Sequence, residues 1–143
     1  HQNQLHCVYS IDPLIILRVY SNGQTKVVHE KEISPIYQFK EHRGGAIISY
    51  NGGYLILCHF TSTEPLWRKY YRRLIWMDLN FQVKRISRPW VFTNELIEYS
   101  IGISTITGSS KMIFSYSYED RKVFLGLFET EEINRMLINL EDF

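Results

Sequence analysis

A strand–turn–strand–strand pattern occurs twice, and this repeat constrains the fold more than any other feature. Gly45-Ala46-Ile47-Ile48-Ser49 precedes the turn Asn51-Gly52-Gly53 and the apolar run Tyr54-Leu55-Ile56-Leu57-Cys58-His59-Phe60. Gly102-Ile103-Ser104-Thr105-Ile106 likewise precedes Gly108-Ser109-Ser110 and Lys111-Met112-Ile113-Phe114-Ser115-Tyr116-Ser117. The offset from Gly45 to Gly102 is 57 residues. Each unit ends in a further strand, Leu74–Asp78 in the first and Val123–Leu127 in the second. Asn-Gly accepts the two positive φ angles of a type I′ hairpin turn, so the first turn is the firmest hairpin signal in the chain. A repeated antiparallel unit with a period near that of a blade predicts part of a β-propeller. An ordinary antiparallel sandwich, also made of short strands and tight turns, is the competing architecture.

The rest of the chain agrees with an all-β reading. Strands are predicted over residues 5–10, 14–20, 25–29, 46–50, 54–60, 70–78, 82–87, 97–105, 111–118 and 123–128. Tyr, Phe and Trp make up 15% of the chain, a composition that favours strands. Helical periodicity occurs only at about 130–140. There Thr130 reads as a cap, Glu131 and Glu132 sit in the first turn, and Ile133, Met136, Leu137 and Leu140 recur on one face. The 143 residues are expected to form a single, incomplete propeller-like domain, with blade-like units at about 43–87 and 97–128. At the 57-residue period the chain is expected to supply about two and a half blades, an incomplete ring. The remainder is expected from sequence upstream in a longer chain or from a second copy.

Sixteen Lys and Arg against fifteen Asp and Glu give a net charge of +1. That balance argues against a dedicated nucleic-acid binder. No apolar run reaches the ~20 residues that span a bilayer, so no membrane partner is expected. The chain opens on His1 without a charged-then-apolar leader and reads as a processed product or a piece of something longer. Cys7 and Cys58 lie in apolar strands and read as buried free thiols, with a structural disulfide as the alternative. These features together suggest a cytoplasmic protein.

The ordered segments resemble a family. Gly44 to His59 is similar to the G-G…G-W-L-hydrophobic-hydrophobic-Y-H segment of the five-bladed β-mannoside phosphorylases, glycoside hydrolase family 130. Tyr71 to Asp78 resembles the following Y-(H)-R…L-D strand, and Ser87-Arg88-Pro89 its S-x-P turn. Glu98-Tyr99-Ser100-Ile101-Gly102 resembles the start of the next blade. Ser115 to Asp120 resembles the Y-Y-G-A-A-D segment. Tyr9-Ser10-Ile11-Asp12-Pro13 resembles an element of glycosyltransferase-associated relatives. The resemblance runs from about Arg43 to Phe128. It departs from the family at Ala46 and Ile47, which replace a polar pair, at Phe60 after His59, and at Arg72, where relatives often carry His. No segment matches the phosphorylases' general-acid Asp.

The resemblance implies a carbohydrate-active propeller module that binds a sugar or sugar phosphate, with inorganic phosphate as co-substrate and no other cofactor. If active, it would be glycosyltransferase-associated or phosphorylase- or hydrolase-like. The alternative is a non-catalytic propeller scaffold for sugar recognition or assembly. The implied binding residues are Arg43, His59, Arg73, Glu98 and Asp120. Each also has a plainer reading. His59 alternates with Leu55 and Leu57 and could be a hydrogen-bonded core histidine. Arg73 belongs to the run Trp67–Arg73, which alternation splits into Arg68, Tyr70, Arg72 and Lys69, Tyr71, Arg73. Glu98, between Ile97 and Tyr99, is expected to be partly buried against a cation such as Arg43 or Arg73. Asp120 could be a solvated turn acid. Glu98 and Asp120 could act as a glycosidase pair only at a separation of ~5–9 Å.

Overall fold

The computed structural model describes residues 1–33, 42–62, 69–93 and 97–142. The fold is mostly β, in three antiparallel sheets, and the chain divides into two compact units, His1–Gly44 and Gly45–Phe143. All ten predicted strands form.

The first unit is a meander of β1 (Leu5–Ile11), β2 (Leu14–Val19) and β3 (Thr25–Lys31). A cis Asp12-Pro13 bond joins β1 to β2. Gly23, at φ +84°, closes the second turn, in which its N–H donates to Tyr20 O at 2.9 Å. Ile11, Leu14 and Ile16 are buried. Leu5, Tyr9 and Val27 are exposed, and so is Cys7. The expectation of two buried thiols therefore holds for Cys58 alone. Cys7 alternates with His6 and Val8, and the pleat turns it to the open face of the sheet.

The next sheet has four consecutive strands, β4 (Arg43–Tyr50, within the second unit from Gly45), β5 (Gly53–Thr61), β6 (Tyr70–Met77) and β7 (Val83–Ser87). Asn51 and Gly52 have φ of +46° and +72°, as the type I′ reading requires. Gly53 permits a close approach, because a Cβ there would lie 2.2 Å from the Met77 carbonyl oxygen. A second meander follows, made of β8 (Glu98–Thr105), β9 (Lys111–Tyr118) and β10 (Lys122–Glu129). The internal repeat thus corresponds to β4–β6 and β8–β10, whose first strands lie in separate sheets.

These two sheets share one core. Leu55, Leu57 and Leu74 from the first pack with Ile103, Met112 and Phe114 from the second, joined by Tyr50, Ile133 and Leu137. Burying each large side chain stabilises the fold by about 1.5–3 kcal/mol. The opposite face of the first sheet is apolar too, and Ile56, Cys58, Ile75 and Met77 are buried there.

The C-terminal helix is shorter than its periodicity predicts. α1 covers Thr130–Met136, and Glu129 takes the N-cap position in place of Thr130. The Glu129 N–H donates to the Glu132 carboxylate at 2.9 Å. The chain then extends as β11 (Leu137–Asn139), which pairs with the open edge of β7, and ends in a 3₁₀ turn, Leu140–Asp142. Arg85 explains the stop. Its Nη2 donates to the carbonyls of Asn134, at 2.9 Å, and Leu137, at 2.6 Å. Those carbonyls are satisfied by a side chain, and the β7 edge offers the backbone of 137–139 a ladder in place of another helical turn.

Candidate functional site

The most organised polar group in the second unit lies at the margin of the core. Arg72 on β6 has the parity of Leu74 and so faces the core with it. It stands directly opposite His59 on β5. On its other side its backbone exchanges two hydrogen bonds with Trp90, at 2.9 and 3.0 Å. Its Nη1 donates to Glu98 Oε2 at 2.9 Å, and both side chains are fully buried. The guanidinium carbon also lies 4.8 Å from the centroid of Phe92. Phe92 in turn stacks on Tyr116 at 4.0 Å and 9°. The charge thus rests on an aromatic face that strengthens its hold.

Glu98 is saturated. Besides Arg72 it accepts from the Phe92 N–H at 2.9 Å, the Thr93 N–H at 2.6 Å and the Thr93 hydroxyl. Burial pushes its carboxyl up, but the Thr93 hydroxyl, the Phe92 and Thr93 amides and Arg72 together outweigh burial and hold it below the usual carboxylate range. Burial likewise lowers Arg72 from its ordinary value, and Glu98 opposes that shift. Nε and Nη2 of Arg72 and Nε1 of Trp90 have no acceptor among the described residues. A carboxylate bound by four donors and closed to solvent has no proton to give and no lone pair free to take one from a substrate.

The other expected site residues are placed as follows. His59 is buried, its ring 4.9 Å from Tyr99 and 6.1 Å from Tyr70, in an aromatic setting. Arg73 stands opposite Cys58, so His59 and Arg73 point to opposite faces of their sheet. The Cys58 thiol donates to the Arg73 carbonyl at 3.3 Å, and burial pushes that thiol up to about 12 although Arg73 opposes it. Arg43 is exposed at the start of β4. Asp120 is exposed in the β9–β10 turn at φ +52°. The cation paired with Glu98 is Arg72, not Arg43 or Arg73. Trp67 and Arg68 lie outside the described residues. His42, just before β4, is buried. An open hollow of ≈ 290 Å³ is lined by Arg88, Pro89, Ile138 and Asp142, none of them among the expected binding residues.

Arg72, Trp90, Phe92, Thr93 and Tyr116 are the members of this cluster missing from the expected set. Alternation carried the signal for Arg72, which shares parity with the core residue Leu74, as His59 does with Leu55 and Leu57. Comparison with protein-family models, curated proteins and solved structures finds no match for this chain.

Proposed function

We propose that the chain is a run of consecutive β-propeller blades serving as a non-catalytic recognition and assembly module of a carbohydrate-active protein. One observation carries the non-catalytic part. Glu98, the buried carboxylate of the expected set, is fully engaged by Arg72, Phe92 and Thr93 and serves as a structural counter-ion. The partner carboxylate a glycosidase would need, Asp120, sits in an exposed turn. Three antiparallel meanders that follow one another in the chain, two of them packed across one core, support the blade reading. The ordered resemblance from Arg43 to Phe128 supports a sugar or sugar phosphate as ligand class. Tyr70 and Tyr99, packed around the buried His59 ring, supply the kind of aromatic surface that sugars bind.

Calorimetry with a β-mannoside and with mannose phosphate tests the reading. Saturable binding is expected, weakened about fivefold by His59→Ala, as for one lost hydrogen bond of about 1 kcal/mol. Equal binding by wild type and His59→Ala would remove His59 from the site. No binding of either ligand would remove carbohydrate from the proposal.

A further inference from the structure

β10 is the end strand of its sheet, and no other strand pairs with its outer edge among the described residues. It is long and apolar. Val123, Leu125 and Leu127 lie on one face at 77%, 66% and 58% exposure. A strand of this kind invites another strand, and proteins usually blunt such edges with Lys, Pro or a bulge. Here Lys122 and Glu129 stand only at the ends, and β10 pairs with β9 without a register shift.

We propose that the occupant of this edge is β10 of a second copy, paired antiparallel about a two-fold axis to give one continuous six-stranded sheet. A two-fold axis through an antiparallel pair runs perpendicular to the sheet and keeps each face on its own side. Only residues of equal parity can then oppose one another. Centring the pair on Leu125 places Leu125 against its own copy, Val123 against Leu127, and Arg121 against Glu129 at both ends. Phe124 then lies opposite Gly126, on the face where Phe128, Phe92 and Tyr116 already cover the glycine. Moving the centre one residue on sets Val123 against Glu129. Moving it one residue back sets Leu127 against Arg121. The charges and the apolar residues therefore agree on one register. The inference rests on this edge alone and stands or falls independently of sugar binding and of the blade reading.

Sedimentation velocity on the full chain tests it. Wild type is expected at twice 17.1 kDa, and Leu125→Lys at 17.1 kDa with an unchanged far-UV spectrum and melt. Arg121→Glu should weaken association on the order of tenfold by turning two attractive cross-strand contacts repulsive. Cys7→Ser/Leu125→Cys should form a disulfide-linked dimer with an added oxidant, since opposed Cα atoms lie about 4.5–5.5 Å apart. A wild-type monomer at every concentration would overturn the proposal. So would a dimer indifferent to Leu125→Lys, or one that Leu125→Cys does not cross-link.

Discussion

Replacing Glu98 tests how the two sheets of the second unit are held together. Glu98→Ala strands the Arg72 guanidinium as a buried cation, which costs about 3–5 kcal/mol. It also leaves the Phe92 and Thr93 amides without their acceptor, at about 1–3 kcal/mol for each group that water cannot reach. Against a typical total stability of about 5–15 kcal/mol, the variant should be largely unfolded or close to it. Glu98→Gln keeps an acceptor oxygen for the 92–93 backbone but removes the charge, so its loss should stay near the 3–5 kcal/mol of the unpaired cation. Arg72→Met with Glu98→Gln removes both charges, and should be more stable than Glu98→Gln alone. Urea unfolding followed by circular dichroism at pH 7 gives all three values. A Glu98→Ala variant within about 1 kcal/mol of wild type would refute the reasoning, because a pair closed to solvent cannot be broken so cheaply.

Acid should act through the same group. The folded-state pKa of Glu98 is depressed from its ordinary 4.5. Its contribution is therefore complete above that value and is lost as pH falls through the lower folded value. Stability measured downward from pH 6 should fall more steeply in wild type than in Glu98→Gln. The thiols should separate cleanly at pH 8, with Cys7 reacting with a disulfide reagent in the native state and Cys58, pushed up to about 12 and buried, reacting only on unfolding. Two fast thiols would contradict that placement. Gly53→Ala should cost at least about 1–3 kcal/mol in thermal or urea melts, since its Cβ would meet the Met77 carbonyl oxygen at 2.2 Å.

Local chemistry explains why the strands could be read so fully. Asn51-Gly52, Asn22-Gly23 and Gly108 mark turns whose φ angles few other residues accept, and the apolar runs between them have strand length. The helix boundary was less legible. The apolar spacing from Ile133 to Leu140 is a local signal, whereas the end of α1 is set by Arg85 and the free edge of β7, some fifty residues earlier in the chain. The Glu98 partner shows the same division. Its burial follows from its neighbours, but the choice of Arg72 over Arg73 depends on which face of β6 meets the second sheet. Parity with Leu74 held that information, while the family resemblance pointed to the adjacent residue. The exposure of Cys7 depends on what its sheet packs against, a fact no local pattern contains.

The proposed function is recognition without turnover. Its most direct test is a saturation-transfer NMR experiment on a β-mannoside mixed with the wild-type chain and inorganic phosphate, with the ³¹P spectrum followed in the same tube. Saturation transfer to the sugar with an unchanging phosphate signal is the expected result. A growing sugar-phosphate resonance would show phosphorolysis and contradict the claim.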